Sequence, residues 1–160
     1  MTALPEALPL AELLARAAER WPARTAVIAG GRSIAFADLD RAASRFAAAL
    51  TAAGLGPGHT VAILSPNCIE YPIFHFGAAR AGTLQAHFSI RYTADDLAHV
   101  IAKVEAEAVF ADAAFLTALR AARARTPTLR TIVVMGAPAG ALDPGEISWD
   151  QFQAGAGDAP

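Results

Sequence analysis

The stretch from Gly54 to Val100, GLGPGHTVAILSPNCIEYPIFHFGAARAGTLQAHFSIRYTADDLAHV, leaves this chain few ways to fold. It reads as helix stop, strand, loop, helix, strand and capped helix, with little spare sequence between the elements. Val61, Ile63 and Leu64 form a short apolar run bounded by Gly58 and Pro66, the pattern of a parallel strand buried on both faces. Leu84 lies in a second such run, just past the break at Ala81-Gly82. Thr93 followed three residues later by Asp96 is a helix start signal, because the two side chains can cap each other's backbone. The spacing predicts a crossover unit of an open α/β sheet.

The flanking sequence extends the same pattern. Leu10, Leu13, Leu14, Ala17, Ala18 and Trp21 recur at helical spacing and stop at Pro22. In TAVIAGGRSIAF two short apolar runs flank Gly30-Gly31, whose glycines supply the positive φ of a tight hairpin turn. A long helix is expected from Ala37 to Ala53, with Gly54 as its left-handed cap. Beyond the opening stretch the pattern predicts a helix over Ala94 to Val104, a strand at Ala108 to Phe110, a helix from Ala113 to Arg125 and a strand from Thr131 to Met135. From residue 137 to 160 the chain turns rich in Pro, Gly and Ala, with one helical turn expected near Ser148 to Phe152. The expected architecture is thus α/β: a mostly parallel sheet with helices packed on it, plus an amino-terminal β-hairpin. Residues 1–136 form the α/β subdomain, and 137–160 a linker-like tail.

Composition removes several classes of function. At 160 residues with 54% apolar side chains, the chain can bury a real core and is not disordered. Thirteen basic residues stand against 15 acidic ones without a basic stripe, so nucleic acid is not an expected partner. The apolar tract from Tyr71 to Ile90 is broken by His75, Arg80, Gln85 and His87 and should not span a bilayer. The N-terminus carries Glu6 and Glu12 and lacks the form of a signal peptide. Cys68 is alone, which excludes a disulfide framework and suits a reducing cytoplasm.

Each motif has a plain structural reading beside a functional one. Gly54-Leu55-Gly56-Pro57-Gly58 follows a helix and precedes a strand, the reverse of a phosphate-binding glycine loop, so it reads as a cap and turn. Ser65-Pro66-Asn67 closes a strand at the edge where open sheets bind ligands, but Asn67 is first a capping residue. Asp95-Asp96 falls in a helix first turn, where the dipole favours carboxylates. The four histidines, His59, His75, His87 and His99, have no metal-ligand spacing. His75 reads as a satisfied core or interface histidine, whereas His87 ends a strand ahead of Arg91. Arg91 suits an anion, or a salt bridge to Asp95 or Asp96. No Ser-His-Asp arrangement and no Ser/Thr/Gly-rich run is present. From these residues alone the chain is an α/β domain without a visible active site.

The order of motifs carries a resemblance. IAFADLD before a long helix, then GLGPGHTVAILSPNCIEY, AARAG and IRYTADDLAHVI, is similar to the amino-terminal region of the AMP-forming acyl-CoA synthetases. These belong to the adenylate-forming superfamily, with firefly-type luciferases and peptide-synthetase adenylation domains. Phe36-Ala37-Asp38-Leu39 loosely matches the family's Tyr-x-Glu-Leu, and Gly54 to Asn67 matches a Gly-to-Asn segment with His59 where Asp is usual. Ala81-Gly82 and Arg91-Tyr92-Thr93 match the next strand and turn, although His87-Phe88-Ser89-Ile90 replaces the usual Pro-Leu-Asn-Pro. The similarity covers about residues 8 to 152.

The resemblance implies part of the large N-terminal domain of that fold and a parent reaction: a carboxylic acid and ATP, with Mg2+, give an acyl-adenylate, and CoA then displaces AMP. It implies no catalytic residue here, since the phosphate loop and the catalytic lysine motif have no counterpart in the chain. Lys103, the only lysine, sits in another context. Arg91 alone carries over, as a contact for a CoA phosphate, while Ser65, Asn67 and His87 match positions taken as structural. The resulting expectation is an acid–CoA ligase segment that is catalytically incomplete and does not bind these cofactors tightly alone. The alternative is a non-catalytic binding or scaffolding module that pairs with a separate C-terminal part or with itself.

Overall fold

Every residue of the strand Thr60–Leu64 is buried, as expected of a strand covered on both faces. The computed structural model describes residues 9–137 and 142–155. In chain order its elements are α1 (Leu10–Arg20), β1 (Thr25–Ala29), β2 (Arg32–Ala35), α2 (Phe36–Ala52), β3 (Thr60–Leu64), α3 (Glu70–Ala81), β4 (Leu84–His87) and α4 (Ala94–Val104). There follow β5 (Ala106–Asp112), a 3-10 turn (Ala113–Phe115), α5 (Leu116–Arg123), β6 (Thr131–Met135), β7 (Glu146–Ser148) and α6 (Trp149–Ala154). No helix among the described residues is long and apolar enough to cross a membrane.

β1 and β2 form an antiparallel hairpin, turned by Gly30 and Gly31 at φ 55° and 74°. The other five strands form one parallel sheet in the order β4-β3-β5-β6-β7. From β3 the chain steps outward to β4, then returns past β3 to β5, so the direction of winding reverses there. Right-handed crossovers running in opposite directions place their helices on opposite faces. Accordingly Val61, Ile63, Phe110, Val133 and Met135 pack with α1, α2, α3 and α6. Their strand neighbours Ala62, Leu64, Val109, Ile132 and Val134 pack with α4 and α5.

Phe46 of α2 sits fully buried at the centre of the first face. Its ring stacks on Trp149 at 5.1 Å and 16°, meets Phe110 edge-on at 4.9 Å, and lies 5.8 Å from Phe74 and 5.6 Å from Phe152. α3 reaches α2 closely because residue 77 is glycine: a Cβ there would lie 2.7 Å from both the Ala43 carbonyl oxygen and Phe46 Cδ1. Arg80 fastens the same layer, donating to the Asp40 carbonyl oxygen at 2.8 Å, to Ser44 Oγ at 2.8 Å and to the Ala11 carbonyl oxygen at 3.3 Å, and pairing with the Asp40 carboxylate.

Several expectations are corrected. α2 spans Phe36–Ala52 rather than 37–53, still with Gly54 at φ 75° beyond its end. β5 is longer than Ala108 to Phe110, and the helix expected from Ala113 opens as a 3-10 turn because Asp112 caps Ala114 N–H at 2.9 Å. On α1 only Leu14 and Ala18 are buried; Leu10 and Leu13 face solvent, so the apolar stripe is wider than the surface it covers. The tail drawn from residue 137 also contributes β7, paired with β6, while the helical turn expected near Ser148 to Phe152 is present as α6, whose Phe152 is in the core. The final run from residue 156 and the first eight residues, including Glu6, lie outside the described residues.

Glu146 explains why β7 is hard to foresee. A carboxylate sits in a buried strand position because Arg120 grips it bidentately, Nε to Oε1 at 2.9 Å and NH2 to Oε2 at 2.7 Å, while Asp143 N–H donates to Oε2 at 3.0 Å. The Arg120 hydrogen bond, stronger here than the opposing desolvation, holds the Glu146 pKa below its ordinary 4.5.

Two expected outcomes follow from this packing. Phe46→Ala should lower unfolding stability by about 3–5 kcal/mol, and Gly77→Ala by about 1–3 kcal/mol through overpacking, both readable from denaturant melts. A carboxylate with a depressed folded-state pKa contributes stability that is present above the ordinary glutamate value of 4.5 and lost as pH falls through the lower folded value. Glu146→Gln should therefore melt well below the parent at neutral pH, with the gap closing in acid; a gap independent of pH would contradict this.

Candidate functional site

Ligands of open parallel sheets gather where strand carboxyl ends meet a reversal of winding. Here that edge carries the Ser65–Asn67 loop after β3 and the Phe88–Tyr92 turn after β4. Ser65 is 6% exposed; its Oγ donates to the Pro66 carbonyl oxygen at 2.9 Å and lies 3.4 Å from Cys68 Sγ, so it is spent on holding the loop. Asn67 does not cap α3 as expected. The cap position is Ile69, without a side-chain hydrogen bond, and Asn67 lies two residues upstream of where a side-chain oxygen reaches the first-turn amides.

Asn67 instead borders a groove of about 460 Å³. β1 supplies Val27, Ile28 and Ala29 to it, the loop supplies Asn67 and Cys68, α3 supplies Tyr71, Pro72 and His75, and β4 supplies His87. No Asp, Glu, Lys or Arg lines it. Its polar side chains are held by hydrogen bonds: Tyr71 Oη to His87 Nδ1 at 2.8 Å, and His75 Nδ1 to Oε1 of Gln85, which is not itself a lining residue, at 3.0 Å. The two imidazoles meet edge-on, 5.6 Å apart at 62°. Helical spacing of four puts Tyr71 and His75 on one face of α3, and strand spacing of two puts Gln85 and His87 on one face of β4. That combined spacing was the signal available in the sequence; weighing each histidine singly misses Tyr71 and Gln85.

The groove is electrostatically quiet. Desolvation, with His75 adding to it, lowers the His87 pKa from its ordinary value of 6.5. Desolvation, with Cys68 adding to it, raises the Tyr71 pKa. Burial also raises the Cys68 thiol pKa against the lowering hydrogen bond of Ser65, so the lone cysteine is a thiol and not an activated nucleophile. Such a wall can bind and orient a molecule; it offers no charged acid, base or nucleophile.

Arg91 stands apart, exposed on the turn between β4 and α4. The turn departs from extended geometry after Phe88, whose N–H still bonds the Ile63 carbonyl oxygen at 2.9 Å, and closes with Tyr92 N–H on the Ser89 carbonyl oxygen at 3.1 Å. The salt bridge from Arg91 to Asp95 or Asp96 is not made. Asp95 pairs with Arg125 at 2.8 Å, and Asp96 is engaged with Thr93 in the expected capping box, whose hydrogen bonds depress its pKa. The Arg91 guanidinium has no partner among the described residues.

The other motifs fall elsewhere. The Gly54–Gly58 turn and His59 lie at the opposite, amino end of the strands, where His59 Nδ1 meets Glu107 Oε1 at 2.7 Å and Arg130 reaches Glu107 at 3.4 Å. Among the described residues, no three His, Cys, Asp or Glu side chains are grouped to hold a metal ion.

Comparison with known proteins places this architecture. The model of the family "AMP-binding enzyme" matches residues 14–155. The 4-hydroxybenzoate–CoA/benzoate–CoA ligase of Rhodopseudomonas palustris is 30% identical over 126 residues, covering 78% of this chain and 23% of that protein. The salicyl-AMP ligase / salicyl-S-ArCP synthetase of Mycobacterium tuberculosis is 36% identical over 156 residues, covering 91% of this chain and 26% of that protein. Among solved structures, Mycobacterium smegmatis MbtA superposes with a TM-score of 0.82 at 28% identity over 96% of this chain and 28% of its own. The anthranilate CoA ligase AuaEII, solved with anthranoyl-AMP, shares the fold at a TM-score of 0.86 and 20% identity over 94% of this chain and 29% of its own. The chain thus spans about a quarter of the length of the curated relatives it matches. It belongs to the AMP-binding enzyme family and has the fold of the amino-terminal region of the adenylate-forming acid ligases.

Proposed function

We propose that this chain is the amino-terminal part of an ATP-dependent acid–CoA ligase. In that reaction a carboxylate oxygen attacks the α-phosphorus of ATP and pyrophosphate leaves; the CoA thiol then attacks the acyl carbon and AMP leaves. The observation that carries the reading is the family match over residues 14–155, to which relatives that are CoA and AMP ligases of aromatic acids add support. A reducing cytoplasm suits its free thiol at Cys68.

The part played by these residues is scaffolding and one anion contact. The sequence has no Ser/Thr/Gly-rich loop to hold a triphosphate. Without such groups to position ATP and neutralise the transferring charge, the 160 residues alone are catalytically incomplete. Arg91 is the residue assigned to a CoA phosphate. It is exposed at the ligand edge of the sheet, has no ion-pair partner among the described residues, and presents a planar fork that matches phosphate oxygens.

Exchange of labelled pyrophosphate into ATP, run with a panel of aromatic and aliphatic acids, should show no turnover by the 160-residue chain; measurable turnover would overturn its incompleteness. In a longer ligase containing this segment, Arg91→Ala should raise the KM for CoA about tenfold, the cost of one charge-assisted hydrogen bond, with the exchange rate unchanged. An unaltered CoA dependence would remove Arg91 from that role.

A further inference from the structure

The groove beside β4 is not used by the ligase reading, and its lining specifies a ligand. Its walls are aliphatic where β1 and Pro72 supply them, and its polar groups converge from α3 and β4. Pockets of about 300–1,000 Å³ with apolar walls and a few convergent polar groups are the usual form of a small-molecule site. A carboxylate or ammonium seated here would give up water with no counter-charge on the lining, which is strongly unfavourable.

The hydrogen-bonding sense of the wall is also defined. Gln85 Oε1 accepts, so His75 Nδ1 is the donor of that hydrogen bond, and an imidazole whose single proton sits on Nδ1 has its acceptor at Nε2. Nε2 has no hydrogen-bond partner among the described residues, and a hydroxyl seated beside His75 can donate to it. Tyr71, His75 and His87 add three ring surfaces suited to offset or edge-on contact with another ring. We propose that this groove binds a small, uncharged aromatic alcohol, its ring against the aliphatic wall and its hydroxyl donating to His75.

The site depends on neither ATP nor CoA, so its test is separate from that of the ligase reading. The isotopically labelled 160-residue chain would be titrated by NMR with 4-methylphenol, toluene and 4-methylbenzoate. The expected result is saturable change at the imidazole signals of His75 and His87 and the methyl signals of Ile28 with 4-methylphenol. Toluene should bind about tenfold more weakly for want of one buried hydrogen bond, and 4-methylbenzoate more weakly still. His75→Phe, which keeps a ring and removes the acceptor, should bring 4-methylphenol to the level of toluene. Changes that do not saturate or that lie elsewhere, equal binding of the three probes, or preference for 4-methylbenzoate would each overturn the proposal. The comparison of probes on the parent chain needs no variant, so it decides the matter even where His75→Phe fails to fold.

Discussion

The fit of Phe46 against Gly77 is the contact on which the rest of this structure depends. One ring touches partners from α3, β5 and α6 at 4.9–5.8 Å. The absence of a side chain at 77 lets α3 approach closely enough for Phe46 to fill the layer beneath the sheet. Interiors packed to crystal density transmit such constraints, because moving one helix opens or closes gaps at all its neighbours. The position of α3 in turn fixes Tyr71 and His75, and so one wall of the groove.

The reversal of winding at β3 supplies the other constraint. It divides the strand side chains between two helix layers, which is why β3 is buried at every position. It also leaves β4 as an edge strand, with Leu84 61% exposed and His87 at its carboxyl end. The groove forms where this edge, the hairpin and the start of α3 meet. A groove at the rim of a sheet takes its shape from elements whose own geometry is set by the core.

Much of this was legible in the sequence because it is written in local signals. The Thr93–Asp96 capping box marks the start of α4 at Ala94, and the apolar run TIVVM gives β6 at its observed bounds. Gly30-Gly31 marks the hairpin. What was not legible depends on partners far along the chain. β7 hides because Glu146 contradicts a buried strand until Arg120, 26 residues away, is placed against it. The groove hides because β1, a loop, α3 and β4 each contribute an ordinary-looking residue. Asn67 misleads because its type suits a cap while its position, two residues before Ile69, does not.

The arginines differ in whether the fold supplies their partners. Arg80 donates across α1 and α2 and neutralises Asp40; Arg120 clamps Asp143 and Glu146; Arg125 takes Asp95. Arg80 and Arg120 offset their lost hydration with fixed acceptors in the fold, whereas the Arg125–Asp95 pair stays largely exposed. Arg91 has the same chemistry and a carboxylate pair only four and five residues away, yet both carboxylates are committed elsewhere. A guanidinium kept in water at the edge of a parallel sheet retains its capacity to bind an anion. The uncharged groove formed by neighbouring elements has no such capacity. The carboxyl edge therefore carries two chemically different surfaces, one with an exposed guanidinium and one with no charged side chain on its lining.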